Sequence, residues 1–197
     1  MARGYDMEMI RKAKKILIYI LARFIVLKHY DKKYICGKYF LGKHRGIGAL
    51  GWKRIVQDYY GCKRLSKNLD VGWPVSPQVT VVKPQNIEFS TDDLNNFQTF
   101  GTYFQAIGKI TIGKGTWIAP NVGLITANHN LYDLDKHDEA KPIIIGKQCW
   151  IGMNSILLPG VTLGDNTIVG AGSIVTKSFP DGHCVIAGNP AKVIKLI

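Results

Sequence analysis

The chain has few cysteines, and their spacing does not suit a metal site. Four cysteines occur in 197 residues and none forms a C-x-x-C pair, which excludes a disulfide-dense secreted module and a cysteine zinc site and suits a reducing cytosol. The sequence also lacks the run of roughly 20 apolar residues that a membrane span requires. With 46% apolar and 20% charged residues, neither a disordered nor a fibrous protein fits. We therefore expect one globular domain, or one domain with an appendage.

Acidic residues are scarce in the first third of the chain. Residues 1–70 hold 17 Lys/Arg against 5 Asp/Glu, whereas residues 71–197 hold 9 of each, so the whole net charge of +12 lies at the N-terminal side. Such a region attracts anions, for example acidic lipid surfaces, phosphate-linked substrates or nucleic acid, unless it is simply a solvated basic face. No helix-turn-helix, zinc-finger or RNP-type motif accompanies the charge, which argues against nucleic acid.

The same region contains one short apolar segment, Ile16–Leu27. It is interrupted by Arg23 and followed by no small-residue cleavage site, so it predicts neither a membrane span nor a signal peptide. Lysines on both sides of it suit a helix lying on an anionic bilayer. The alternative is a helix docked on its own protein or on a neighbouring subunit. We expect residues 1–73 to form a basic, partly helical region and residues 74–197 to form a second domain.

From residue 112 onward the chain repeats every six residues. Each hexad begins with an aliphatic residue, usually followed by glycine. A period of six fits neither a helix face nor strand alternation. It predicts a mainly β fold, a three-sided parallel coil in which the aliphatic residues point inward and glycine tolerates the turns. Three hexads would close one coil, and coils would stack about 4.8 Å apart. The leading residues are Ile112, Ile118, Leu124, Ile145, Ile151, Leu157, Leu163, Val169 and Val175.

One polar segment, His129–Pro142, interrupts the repeat. It cannot form coil core, so we expect a loop that protrudes from the coil, and loops on rigid repeats often carry function. Before residue 112 the repeat is degenerate, and Pro74–Phe104 is expected to form irregular opening coils. Both ends of a coil need caps. The candidates are Lys192–Ile197 and the N-terminal region.

Four segments carry a family resemblance, namely TIGKGTWIAPNVGLITANHN (Thr111–Asn130), QCWIG (Gln148–Gly152), GAGSIVTK (Gly170–Lys177) and AGNPAKVIK (Ala187–Lys195). They resemble the hexapeptide-repeat acyltransferases, and they are most similar to the maltose/galactoside O-acetyltransferase branch and to polysaccharide O-acetyltransferases. The resemblance covers Ile107–Lys195, whereas the N-terminal third differs from the usual maltose-acetyltransferase segment.

The resemblance implies a left-handed parallel β-helix that assembles as a homotrimer with active sites between adjacent subunits. It implies transfer of an acetyl group from acetyl-CoA to a hydroxyl or amine, without a metal. The catalytic histidine of the family lies ten residues after the position of Ala119, which gives His129. The residues that match coenzyme A contacts are Trp150, Met153, Ala171, Thr176, Lys177, Lys192 and Lys195.

Two positions depart from the family pattern. The galactoside branch often has Ser where this chain has Met153, so only a backbone contact carries over there. The acceptor-binding Asn of the family has no clean counterpart, because counting leads to Thr99, with Asn95 and Asn96 nearby.

The expected chemistry needs a base. A sugar hydroxyl is a poor nucleophile at neutral pH, and a positioned imidazole that removes its proton speeds the reaction by about 10²–10⁴-fold. Among His29, His44, His129, His137 and His183, only His129 ends a well-formed hexad at the start of the loop. A carbonyl, or a carboxylate such as Asp133 or Asp135, could hold its far ring nitrogen, and a backbone N–H would be the typical oxyanion donor.

The leading hypothesis is a cytoplasmic, acetyl-CoA-dependent O-acetyltransferase that acts on a carbohydrate near the inner membrane face, such as a lipid-linked saccharide. The alternatives are N-acetylation of an amino sugar or nucleotide sugar, and a non-catalytic trimeric scaffold. A zinc-dependent relative would need three histidines on adjacent coils, and the spacing offers no convincing set. Taken alone, His129 fits a surface loop, Trp150 fits packing on the coil exterior, and Lys177, Lys192 and Lys195 fit solubility.

Overall fold

The computed structural model describes residues 2–41 and 46–197, with side chains from residue 7 onward. The chain divides into two compact units, Met1–Val75 and Ser76–Ile197. The first unit is helical, and the second is built from short strands.

The described part of the helical unit contains three α-helices: α1 (Ala2–His29), α2 (Lys38–Leu41) and α3 (Leu50–Leu65). Single 3₁₀ turns lie at Lys32–Tyr34 and Gly46–Gly48. Neither proline nor glycine interrupts residues 5–29, so α1 continues for 28 residues. Helix α3 ends at Ser66, where the backbone turns left-handed with φ 50° and the Ser66 N–H bonds to the carbonyl groups of Cys62 and Lys63.

Helices α1 and α3 pack against each other. The ring of Tyr19 meets Trp52 edge-on, with 5.0 Å between the centroids. One face of Ile16–Leu27 is therefore docked within its own unit, whereas Leu17 and Phe24 on another face are exposed. None of the described helices combines the length and the apolar character needed to cross a membrane. The buried side chains of α1 are Ala22, Ile25 and Val26.

Strands of two to six residues make up the second unit, and they form three sheets. The sheet orders are β1-β3-β6-β9-β12, β2-β4-β7-β10 and β5-β8-β11-β13-β14. All the pairs are parallel except β13 with β14. The strands are β1 (Thr80–Val82), β2 (Ile87–Phe89), β3 (Tyr103–Gln105), β4 (Ile110–Ile112), β5 (Trp117–Ile118), β6 (Gly123–Ile125), β7 (Ile143–Ile145), β8 (Trp150–Ile151), β9 (Ile156–Leu157), β10 (Thr162–Leu163), β11 (Ile168–Val169), β12 (Ile174–Val175), β13 (Cys184–Gly188) and β14 (Ala191–Leu196).

The sheets are the three sides of a parallel β-helix, as the six-residue period predicts. Leu163 pairs with Ile145, and Val175 pairs with Leu157, so partners lie 18 residues apart, or one coil of three hexads. Each of the nine leading aliphatic residues is at most 3% exposed. Burial of this column stabilises the unit by about 25 cal/mol per Å² of apolar surface removed from water.

The fifth position of each hexad also lies inside the coil. The Thr167 hydroxyl donates to the Gly164 carbonyl at 2.7 Å, and the Ser155 hydroxyl donates to the Gly170 carbonyl at 3.0 Å. Small polar residues there satisfy carbonyl groups at the corners that would otherwise be buried without a partner. The fully or almost fully buried residues at this position are Thr116, Val122, Cys149, Ser155, Val161, Thr167 and Ser173.

The corners of the coil explain the glycine and asparagine residues of the repeat. A Cβ on Gly152 would lie 2.6 Å from the carbonyl oxygen of Val169 in the next coil, so glycine at the second position allows close stacking. The fourth position takes a left-handed backbone, which Gly and Asn adopt most readily. The residues with positive φ at this position are Gly115, Asn121, Gln148, Asn154, Gly160, Asn166 and Gly172.

The opening coils are irregular, as expected. Thr80 pairs with Tyr103, a separation of 23 residues. Strand β5 begins its sheet, and side chains from the 3₁₀ segment Thr91–Phe97 lie where a preceding strand would pair. The buried Asn96 amide accepts from Ile118 N–H and donates to the carbonyl of Thr116, both at 2.9 Å. At the other end of the unit, β14 folds back antiparallel on β13 and covers the outermost edge of that sheet.

Candidate active site

The predicted loop leaves the coil after β6 and returns in register. Strand β4 pairs with β7, β5 with β8 and β6 with β9, each at a separation of 33 residues, which is one 18-residue coil plus 15 inserted residues. Two backbone hydrogen bonds close the base of the loop, from Lys141 to Thr126 at 2.8 Å and from Asp138 to Asn128 at 2.9 Å. The coil stack is thus continuous beneath the insertion.

Asn130 organises the tip of the loop. Its Oδ1 accepts from the N–H groups of Tyr132 and Asp133 at 2.9 and 3.0 Å, and its Nδ2 donates to the Asp138 carboxylate at 2.9 Å. This Asx turn replaces the backbone pairing that the coil can no longer supply. It leaves three apolar side chains at the tip largely exposed, namely Leu131, Tyr132 and Leu134.

The loop fixes the ring of His129. Its Nδ1 lies 2.7 Å from the carbonyl oxygen of Leu134. A carbonyl can only accept, so Nδ1 carries the proton and Nε2 of the neutral ring keeps its lone pair. Of the two kinds of partner expected for the far nitrogen, the carbonyl is the one in place. The carboxylate of Asp133 instead pairs with Lys136 at 2.8 Å.

A second imidazole lies against His129. The ring of His137 is 4.4 Å away between centroids and tilted by 32°, and the two residues form an antiparallel bridge across the loop. The sequence drew attention to His129 alone. A signal for the pair was present, because both residues flank the turn that Asn130 nucleates. His183 lies at a corner and His29 in the helical unit, while His44 lies outside the described residues.

A polar cavity of about 250 Å³ opens at the base of the loop. It places Thr176, a residue matched to coenzyme A contacts, beside the segment that leads into His129. The adjacent Lys177 extends over the ring of Phe179, with its Nζ 5.8 Å from the centroid. The cavity is lined by Asn128, Asp138, Glu139, Lys141, Leu158, Pro159 and Thr176.

The other residues matched to coenzyme A lie on or beside the sheet that runs from β5 to β14. Trp150 is exposed in β8. It pairs with Ile168, which pairs with Val185, and Val185 in turn pairs with Lys195. Lys195 therefore lies three strands from Trp150, or about 14 Å away. Lys192 faces Ala187 in the same hairpin. At the adjacent corner, Met153 precedes Ala171 by one coil, and the Met153 carbonyl accepts from Gly172 N–H at 2.8 Å.

Five of the seven matched residues therefore form two groups within one chain, and Met153 and Ala171 lie at a corner beside the second group. Thr176 and Lys177 lie near the loop that carries His129, which follows a strand of the first sheet. Trp150, Lys192 and Lys195 lie on a different side of the coil. Among the described residues, no group of three His, Cys, Asp or Glu side chains could hold a metal ion. Burial raises the pKa of the Cys149 thiol, and its Sγ donates to the Gly164 carbonyl at 3.2 Å, so Cys149 is a neutral core group.

Comparison with known proteins decides the family. The family described as bacterial transferase hexapeptide (six repeats) matches residues 142–177. The galactoside O-acetyltransferase of Escherichia coli (strain K12) is 47% identical over 91 residues, which cover 45% of this chain and 44% of that protein. An E. coli (strain K12) protein provisionally named colanic acid biosynthesis acetyltransferase WcaF is 33% identical over 149 residues, covering 73% of this chain and 74% of that protein. The chain belongs to the hexapeptide-repeat acetyltransferases.

The solved structures agree with this family. A hexapeptide-repeat acetyltransferase from Vibrio cholerae O1 biovar eltor, complexed with acetyl-CoA, matches with a TM-score of 0.51 and 22% identity over 81% of this chain and 96% of that chain. At this identity the likeness establishes the fold, the left-handed parallel β-helix of the hexapeptide-repeat acetyltransferases. The resemblance seen in the sequence motifs is confirmed by the family match and by the colanic acid relative.

The extent of the similarity differs among relatives of this hexapeptide-repeat acetyltransferase. The chain spans about half the length of the first curated relatives it matches. The colanic acid relative extends further, because 73% of the 197-residue chain exceeds the 122 residues of Ser76–Ile197. That similarity must include part of the helical unit, where the sequence departs from the maltose-acetyltransferase segment.

Proposed function

We propose that this protein transfers the acetyl group of acetyl-CoA to a carbohydrate hydroxyl, with His129 as the general base. The observation that carries the proposal is the 2.7 Å contact between His129 Nδ1 and the carbonyl oxygen of Leu134. It holds the proton on Nδ1 and leaves Nε2 of this exposed residue able to accept a proton from a bound hydroxyl.

In the proposed reaction, Nε2 removes the proton of the acceptor hydroxyl as its oxygen attacks the thioester carbonyl carbon. The tetrahedral oxyanion collapses, the carbon–sulfur bond breaks, and the departing thiolate takes the proton from the imidazolium. The products are an acetyl ester and coenzyme A. The Leu134 carbonyl accepts the Nδ1–H hydrogen bond throughout this cycle and so keeps the ring in one orientation.

Acetyl-CoA is proposed to bind through both groups of matched residues. The exposed Trp150 offers a face for stacking the adenine or pantetheine part. Lys192 and Lys195, on the last strand of the same sheet, offer ammonium groups for phosphate. The Met153 carbonyl is already used by Gly172, so any contact there falls to other backbone atoms. Thr176 and Lys177 would contact the arm near the loop that carries His129.

A homotrimer with active sites between adjacent subunits is a further part of the proposal, and the layout of the matched residues supports it. Within one chain Trp150 and the loop that carries His129 lie on different sheets of the β-helix. A neighbouring copy that packs side by side would bring the Trp150 face of one chain to the His129 loop of the next. Each active site would then need two copies.

The carbohydrate class of acceptor rests on the relatives. One is named a galactoside O-acetyltransferase, and the relative that extends into the helical unit is provisionally named for colanic acid biosynthesis. We propose a polysaccharide precursor as acceptor. Mass spectrometry of products from matched hydroxyl and amino sugars separates O-transfer from N-transfer, because esters are removed by alkali and amides are not.

Replacing the base tests the proposed chemistry. His129→Ala is expected to lower kcat by two or more decades, in line with the about 10²–10⁴-fold contribution of a general base, while the far-UV circular dichroism spectrum stays unchanged. The measurement is release of the coenzyme A thiol with a carbohydrate acceptor.

The matched control is His183→Asn, which removes another exposed imidazole at a corner with a left-handed backbone that asparagine tolerates. It should turn over like the wild type. A His129→Ala enzyme with full turnover would refute the assignment. Absence of acetyl-CoA binding in calorimetry at millimolar concentration would instead favour a non-catalytic scaffold.

A further inference from the structure

Helix α1 has an apolar face that the described residues of the helical unit leave exposed. Along it, apolar residues recur at intervals of three and four, which places them within an arc of about 100° on the helix surface. The large side chains of this face are 47–66% exposed, far more than a helix docked through that face would allow. We name this set the apolar stripe: Ile10, Ala13, Leu17, Ile20, Phe24 and Leu27.

The stripe is distinct from the face that packs inside the unit. Ala22, Ile25 and Val26 are at most 7% exposed, and at 100° per residue they lie outside the arc of the stripe. The helical unit therefore has its own small core without the stripe. Contiguous apolar side chains left outside a core mark a surface for a partner.

Positive charge borders the stripe on both sides. With 100° per residue, Lys14 and Lys28 lie along one edge of the stripe, and Lys12 and Arg23 lie along the other. All four are exposed. Residues 7–28 hold six Lys/Arg and only one acidic residue, Glu8. An apolar strip between two basic edges is the pattern of a helix that lies in the interface of an anionic bilayer.

We propose that α1 lies flat on an anionic lipid bilayer, with the apolar stripe inserted among the acyl chains and the flanking lysines and arginine at the headgroup phosphates. At about 1.5 Å per residue, the stretch from residue 10 to residue 27 reaches roughly 26 Å along the membrane plane. This places the protein at the lipid surface without a spanning helix, and it goes beyond the acetyl transfer proposed above.

Charge favours an anionic bilayer over a second copy of the chain as the partner of the apolar stripe. Two copies that met through the stripe would bring together two regions of 17 Lys/Arg against 5 Asp/Glu, with their basic edges facing each other. Such like-charge juxtaposition opposes association. An anionic bilayer has the complementary sign, and the attraction grows with each basic residue near the surface.

Vesicle flotation with the full chain tests the proposal. The wild type is expected to float with vesicles of mixed phosphatidylglycerol and phosphatidylcholine, to bind at least about tenfold less to pure phosphatidylcholine, and to be released by high salt. The double variant Leu17→Ser/Phe24→Ser should bind at least about tenfold less to the anionic vesicles. Lys14→Glu/Lys28→Glu should lose binding as well.

Leu65→Ser is the matched control, because it removes an exposed apolar side chain from the end of α3 and should float like the wild type. Circular dichroism confirms that each variant keeps its helices. Failure of the wild type to float with anionic vesicles overturns the proposal. Sedimentation that shows the stripe variant dissociating an oligomer, without any vesicle binding by the wild type, would assign the stripe to a second copy.

Discussion

The β-helical unit and the helical unit treat apolar residues differently. In the β-helix every leading aliphatic residue from Ile112 to Val175 is buried, so the sequence period and the core coincide. In α1 the apolar residues exceed what the core uses, and Leu17, Phe24 and Leu27 remain at 61–66% exposure. The contrast teaches that a repeat specifies its own interior, whereas surplus apolar surface on a helix specifies a partner.

A Leu→Ala substitution, made once in each unit, should show this difference most strongly in the free energy of unfolding. Leu157→Ala removes a fully buried side chain from the coil and should lower the free energy of unfolding by about 2–5 kcal/mol. Leu17→Ala on the exposed stripe should change it by less than about 0.5 kcal/mol. Urea unfolding at one protein concentration measures both. Equal losses would show that the stripe is covered in the protein in solution.

The next largest effect on stability is expected at β5, where side chains of the segment Thr91–Phe97 make the hydrogen bonds that a preceding strand would otherwise make. Asn96→Leu leaves the Ile118 N–H and the Thr116 carbonyl buried without partners, at a cost of about 2–3 kcal/mol. Asn95→Leu, at the half-buried neighbouring position, is the control and should cost less. A stable Asn96→Leu protein would mean that the opening coil re-pairs by another route.

The smallest effect concerns the pH dependence of the helical unit. Burial, reinforced by the charge of Asp58, raises the pKa of the Cys62 thiol to about 11. Since an unfolded thiol ionises near its ordinary value of 9.0, the folded chain holds more protons above that pH, and stability should fall as pH rises from about 9 to about 11. In Cys62→Ala the unfolding temperature should decline less steeply over this range. Parallel slopes would contradict the prediction.

The sequence predicts the coil because the information repeats. Each of the nine leading aliphatic residues is predicted to point into the coil, and the structure confirms all nine. The left-handed corners at Asn121, Asn154 and Asn166 were visible as Gly or Asn at the fourth position, yet the periodicity of the core gave no reason to interpret them. The role of Asn96 could not be found this way, because it occurs once, in a segment without a period.

The site was predictable only in part. The position of His129 at the start of the loop follows from the family resemblance and the interrupted repeat, and its catalytic role stays a prediction. The partner of its Nδ1 is a backbone carbonyl, a group that every residue possesses, so no side-chain pattern could reveal it. The stacked His137 depends on the loop's return path, which the Asn130 turn sets.

The register across the insertion has a consequence for how new specificities could arise. Strands before and after the loop pair as though the 15 extra residues were absent, and two hydrogen bonds close its base. The length and composition of the loop can therefore vary without a change in the strand register of the β-helix. The scaffold can therefore accept a different segment at this position while the coils on either side keep their pairing.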